Sequence, residues 1–276
     1  MRAGPANPWL PGSFLASGWQ HRERIFEFAR RKIAATYRGS ILGSLWAVSQ
    51  PLILLAVYTF VFSVILRARW GDHAGESEAP FAVFLFSGLV VYTILAECLN
   101  RSPSVVGAHA QYIRQLAFPS EILAWVLLAT ALFNFAMSGL ILSVLYLISV
   151  GLPPQGALWI PVILVPLALA TLGLSWIASA IGTYYRDLDQ VMGLITTALL
   201  FLSPVFYPAS RVPEAFQGFY RWNPLAETLE MTRAALFYGA PPDPLRLAVL
   251  FACGFALAWL GFVFFSQQRG KLQDAL

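Results

Sequence analysis

From Ile122 to Tyr185 the chain carries no Asp, Glu, Lys or Arg. About 20 apolar residues suffice to cross a hydrocarbon core, so one helix over that distance greatly overshoots a bilayer. Gly151-Leu152-Pro153-Pro154-Gln155-Gly156 interrupts the run with strong turn formers. Two antiparallel spans follow, at about 120–150 and 158–183. Composition agrees: 58% of residues are hydrophobic and 12% charged, against about 25% charged in soluble domains. The chain reads as an all-α, polytopic integral membrane protein.

A second long stretch, YRGSILGSLWAVSQPLILLAVYTFVFSVIL, runs from Tyr37 to Leu66 and lacks those charges from Gly39 onward. It predicts a span at about 41–66, with a kink near Ala47–Gln50 caused by Pro51. Its entrance holds Gly39, Ser40, Gly43, Ser44 and Gln50. Small and polar residues inside a span suit packing against other helices or lining a pathway. Further spans fall at about 81–100, 190–207 and 245–266. Between the last two, residues 209–238 are too charged to span and too apolar for a simple loop. They read as a re-entrant helical hairpin in the outer leaflet, turning at Asn223 and Pro224. The expectation is six transmembrane helices, with that hairpin before the last.

Residues 1–18 are rich in Pro and Gly and read as a flexible N-terminus. No apolar core of a cleavable signal precedes Ile25. Residues 19–38 form an amphipathic interface helix. Ile25, Phe26, Ala29 and Ile33 share one face; Glu23, Arg24, Glu27, Arg30 and Arg31 share the other. Such a helix suits a membrane surface, its basic residues turned to lipid headgroups or to an acidic partner; the plainer alternative is a topological anchor. Residues 39–276 make up the transmembrane domain. Residues 101–118 are a polar connection, with a short helix at 107–116 closed by Phe118-Pro119.

Six spans return the chain to its starting side. Placing both ends in the cytoplasm puts twelve of the eighteen Lys and Arg residues there, as the positive-inside rule requires. Of the other six, Arg211, Arg221 and Arg233 are outer exceptions in the re-entrant region. The net charge of +4 is thus a matter of topology, and no nucleic-acid motif accompanies it.

Chemistry is sparse. No phosphate-binding G-x-x-x-x-G-K-[ST] is present, since Gly270-Lys271 is followed by Leu272. His21, His73 and His109 lie far apart, and Cys98 and Cys253 lack ligand spacing and read as small core residues. The serines in the spans read as packing residues. Glu97 sits at a predicted span end, where snorkelling is cheap. No catalytic residue, metal site or cofactor of the chain's own is expected. What stands out is aromatic content, 14% of residues. Trp46, Gln50, Leu54, Tyr58 and Phe62 follow at i, i+4 along the first span. Ordinary packing or an interfacial belt accounts for such a stripe. So does a conduit for sugars, whose C–H faces stack on aromatic rings while Gln and Tyr supply hydrogen bonds.

Four segments in order, 37–66, IRQLAFPSEIL (113–123), YYRDLDQVMGLITTALLFLSPVFYP (184–208) and RWNPLAETLEMTRAALF (221–237), resemble the transmembrane subunit of ABC-2 type exporters. The match is to the polysaccharide branch, which exports O-antigens, teichoic acids and capsules. The resemblance covers nearly all of the chain after residue 20. It implies a permease in the bacterial cytoplasmic (inner) membrane, a homodimer with one channel at its interface, moving a lipid-linked polysaccharide. It also implies two copies of a separate ATP-binding cassette subunit, which carry the ATP and Mg. In such permeases the interface helix and the loop after span two dock on that ATPase, here about 20–36 and 101–118. Tyr112, Ile113 and Arg114 are the expected contacts, Trp46, Gln50, Tyr58 and Phe62 the expected channel lining. Residues 209–238 resemble the family's periplasmic gate helices. The YRGS-LG-LW entrance is closer to O-antigen and teichoic-acid permeases than to capsule permeases. An ABC-2 drug or lipid exporter, and a non-transporting envelope-assembly scaffold, remain as alternatives. The first 18 residues match no motif of the family.

Overall fold

A computed structural model describes residues 8–37, 45–65, 81–113, 118–207 and 212–275. Among the described residues the secondary structure is helical throughout. In chain order the helices are α1 (Ser13–Gln20), α2 (Arg22–Tyr37), α3 (Trp46–Thr59), α4 (Phe81–Ala108), α5 (Ala110–Ile113) and α6 (Ile122–Ser149). They continue as α7 (Ile160–Gly182), α8 (Leu188–Leu202), α9 (Glu214–Trp222), α10 (Pro224–Phe237) and α11 (Pro244–Ala275). A π-helical segment, Phe60–Ile65, extends α3, and a 3₁₀ turn, Gln155–Trp159, leads into α7.

Four segments are long and apolar enough to cross a membrane: Phe81–Ala108, Ile122–Ser149, Gln155–Gly182 and Pro244–Lys271. Val48–Thr59 and Leu188–Leu202 are shorter apolar helices, at the places where spans one and five are expected. The run between Ile122 and Tyr185 divides where its turn residues lie. Gly151 takes φ 113°, a left-handed conformation nearly free of cost only for glycine, and Pro154 precedes the 3₁₀ turn.

Helix α4 is the centre of the fold. In its most apolar stretch 78% of residues are buried, against 17% for α6, so α4 is enclosed by protein while α6 keeps an open face. Helices α6, α7, α8 and α10 surround α4. Helix α11 lies along α7, and small residues set that distance. A Cβ on Gly261 would come within 2.2 Å of the Gly173 carbonyl oxygen, and one on Gly173 within 2.2 Å of that of Leu257. Without lipid-excluding hydrophobic drive inside a membrane, such backbone approach is a main source of helix affinity.

Several expectations change. Ser13–Gln20 is not a flexible leader: it forms α1, and Phe14 is fully buried against Trp176 and Phe255. The interface helix is broken at His21, giving α1 and α2 rather than one helix. Helix α4 does not end at 100 but runs through Pro103 to Ala108, so the connection to α6 is shorter than expected. Pro103 fits because Gly182 of α7 lies against it, leaving no room for a Cβ. Cys253 is exposed on α11, whereas Cys98 is buried.

Candidate functional site

Two regions at opposite ends of α4 gather polar and aromatic interactions. The first gathers where α2, α5 and the start of α6 meet. Phe28 of α2 lies 5.6 Å from Tyr112, 5.7 Å from Phe118 and 6.4 Å from His109, measured between ring centres. Tyr112 and Phe118 are 5.9 Å apart. Offset and edge-on aromatic contacts at these distances stabilise beyond their buried area. The end of α11 reaches the same place: Arg269 donates to the Phe118 carbonyl at 3.0 Å and pairs with Glu121 at 3.3 Å. Trp176 of α7 donates its indole N–H to the Glu121 carbonyl at 3.0 Å.

This cluster contains two of the expected ATPase contacts, in different roles. Tyr112 is 44% exposed, whereas Ile113 is 1% exposed and packs into the main core. Ile113 therefore anchors α5, and the ring of Tyr112 is the surface on offer. Arg114 lies outside the described residues. Beside the cluster, burial of Lys32 on α2, assisted by the like charge of Arg101 on α4, lowers its ammonium pKa to about 8.

A polar belt crosses the helices near this end. Asn134 of α6 donates to the Glu97 carboxylate at 2.8 Å. Thr196 of α8 donates to the Asn100 side chain at 2.9 Å, and Tyr92 donates to the Thr196 carbonyl at 2.8 Å. Glu97 thus lies half-buried within α4 and among partners. Asn134, an amide within the charge-free run, was the sequence's signal of a needed partner. Its partner, 37 positions away, was not readable.

The second region is at the other end. Asn223 caps α10, its side-chain oxygen accepting from the backbone N–H of Leu225 at 3.0 Å and Ala226 at 3.4 Å. Its amide donates to Ser203 at 3.0 Å. Pro224 occupies the first helical position, where its missing N–H costs nothing. The expected break at Asn223-Pro224 is therefore a capped junction between α9 and α10, tied to the end of α8. Arg233 of α10, 5% exposed, donates to the carbonyls of Pro204 and of Val205, the latter at 2.8 Å. Its guanidinium also lies 4.4 Å over the Phe84 ring. From the sequence alone Arg233 is only a topological exception. Tyr207 and Tyr220 contact each other through their hydroxyls, joining α9 to the same turn.

The aromatic stripe of α3 is divided. Trp46, Gln50 and Leu54 are exposed, while half-buried Tyr58 packs on Phe206 at 5.3 Å. From Phe60 the helix widens to π geometry, which abandons the i, i+4 register. The side chain of Phe62 lies outside the described residues, as do Gly39, Ser40, Gly43 and Ser44.

Comparison with known proteins supplies the family. The O-antigen export system permease protein RfbA of Myxococcus xanthus is 25% identical over 260 residues, covering 94% of this chain and 97% of its own. A permease of the same name from Klebsiella pneumoniae is 26% identical over 254 residues, 89% of this chain and 92% of its own. The polysialic acid transport protein KpsM of Escherichia coli is 24% identical over 211 residues, 76% and 79% of the two chains. The description "ABC-2 type transporter" matches residues 23–237, from the interface helix to the end of α10, and the chain belongs to that family of membrane transport proteins.

Proposed function

We propose that this chain is the transmembrane permease subunit of an ATP-driven exporter that carries a lipid-linked polysaccharide, an O-antigen in the first instance, across the bacterial inner membrane. The observation that carries the reading is the end-to-end similarity to O-antigen export permeases. Similarity to the polysialic acid transport protein reaches less of the chain, which favours O-antigen over capsule; teichoic acid is the other candidate cargo. The chain would span six times, with both termini cytoplasmic and residues 209–238 at the outer face. Two copies would form the channel, with α3 contributing its open Trp46–Gln50–Leu54 face. Two ATP-binding subunits would dock on α2 and α5, where the Phe28–Tyr112–Phe118 cluster makes one stiff unit of both segments. Such a unit moves as a body, so closure of the ATPase reaches α4 and α6 together.

Deletion of the gene in its host tests the reading. Expected are loss of polymer at the cell surface, accumulation of lipid-linked polymer inside, and rescue by the wild-type gene. A tagged chain should also copurify an ATP-binding cassette protein. Normal surface polymer in the deletion strain refutes the polysaccharide reading, and polymer loss without a copurified ATPase favours an assembly scaffold.

A further inference from the structure

A groove of about 1250 Å³ lies between α1–α2 and the first half of α6. Its floor is one row of α6, Trp125, Ala129, Phe133 and Met137, at i, i+4 spacing. Twelve residues of helix give that row a length of about 18 Å, close to the depth of one leaflet, half of a hydrocarbon core of about 30 Å. The row belongs to a helix long and apolar enough to cross a membrane, so the groove borders hydrocarbon if α6 spans. Its lining is apolar except at two positions, Arg22 and Arg30, both exposed on α2. Arg22 is held in place by a 3.1 Å hydrogen bond to the Trp19 carbonyl and lies over the Trp19 ring. Trp19 is 72% exposed and Phe26 71%. The one described carboxylate paired on α2, that of Glu27, is engaged by Arg31 and lies outside the lining.

We propose that this groove seats an acyl chain of an anionic phospholipid from the leaflet at the α2 end, with Arg22 and Arg30, about 12 Å apart along α2, attracting its headgroup. The apolar depth matches one chain. Either guanidinium suits a phosphate, to which arginine donates in pairs of parallel hydrogen bonds. No carboxylate in the lining opposes that charge. The assignment is independent of what the protein transports; it needs only that α6 crosses the membrane. A lipid so placed forms part of the contact between α2 and α6. Anionic lipid in that leaflet would then set how firmly the interface helix is held.

The test uses the full chain in phosphatidylcholine nanodiscs doped with one of two photoactivatable lipids, a phosphatidylglycerol or a phosphatidylcholine with identical diazirine-bearing chains. Cross-linked residues are mapped by mass spectrometry. The expected result is labelling of 125–137 that prefers phosphatidylglycerol. Arg22→Gln and Arg30→Gln each reduce the preference about fivefold, the factor that ~1 kcal/mol per basic residue near an anionic surface gives. Both substitutions are on exposed side chains, so folding is retained. Ala129→Trp, which fills the floor, should abolish labelling there while the exposed Leu245, Val249 and Leu260 of α11 remain labelled. Equal labelling by both lipids, unchanged by the arginine variants, overturns the proposal. So does labelling of α11 with none at 125–137, which would mean that a protein surface, a second copy or a partner, covers the groove.

Discussion

Asn134 on α6 donates a 2.8 Å hydrogen bond to the carboxylate of Glu97 on α4, inside two helices whose mean character is strongly apolar. A carboxylate in that setting is tolerated only with its partners in place. Asn134→Ala should therefore destabilise the protein by about 1–2 kcal/mol. Asn134→Leu combined with Glu97→Leu should cost less than the sum of the single changes, because no polar group is left behind. Unfolding in mixed detergent micelles measures both, and additive losses would refute the pairing as a stabilising contact.

At the other end of α4, Gly88 makes room for Arg233: a Cβ there would lie 2.5 Å from its terminal nitrogen. Gly88→Ala should push the guanidinium off the Pro204 and Val205 carbonyls and loosen α10 from α8. In a Cys253→Ser background, a cysteine at Gln217 should react with a membrane-impermeant thiol reagent from outside, and faster when Gly88→Ala is added. Reaction only from the cytoplasmic side would reverse the proposed topology.

Phe28 and Tyr112 join the two segments proposed to meet the ATPase. Phe28→Ala and Tyr112→Ala should each lower ATPase copurification or transport-linked turnover. If the rings act as one unit, the double variant loses little more than either single one. Unchanged assembly and export in the double variant would remove the cluster from coupling.

Lys32 is expected to titrate near pH 8 because burial, then the charge of Arg101, disfavours its ammonium form. Undocking α2 restores the ordinary lysine value of about 10.4. The undocked state thus binds more protons between those values, and the docked state gains stability as pH rises from about 8 towards 10. Amine acylation of Lys32, followed by mass spectrometry against pH, should give a midpoint near 8. The midpoint should rise in Arg101→Gln.

The divided stripe of α3 separates two behaviours. Trp46→Ala and Gln50→Ala alter exposed side chains, so abundance should be kept and export impaired if this face lines the conduit. Tyr58→Ala removes a ring packed on Phe206 and should lower stability, by up to the roughly 3–5 kcal/mol of a large aromatic truncation in a core. Normal export in a Trp46→Ala/Gln50→Ala double variant would count against α3 as channel wall.

The sequence by itself determined the helical class, the residence in a membrane and most helix positions. Those depend on local composition: charge-free runs of about 20 residues have few places to fold other than hydrocarbon, and turn residues such as Gly151 and the Asn223-Pro224 pair mark breaks by their own backbone preferences. Only the tertiary structure decided which polar residues answer each other. Glu97 with Asn134, Arg233 with the end of α8, and Arg269 with Glu121 are pairings across helices, and periodicity along one helix holds no information about its neighbour's register. The same reason hid the docking of Phe14, the continuation of α4 through Pro103, and the burial of Ile113 beside exposed Tyr112. Each depends on a surface supplied by a distant part of the chain.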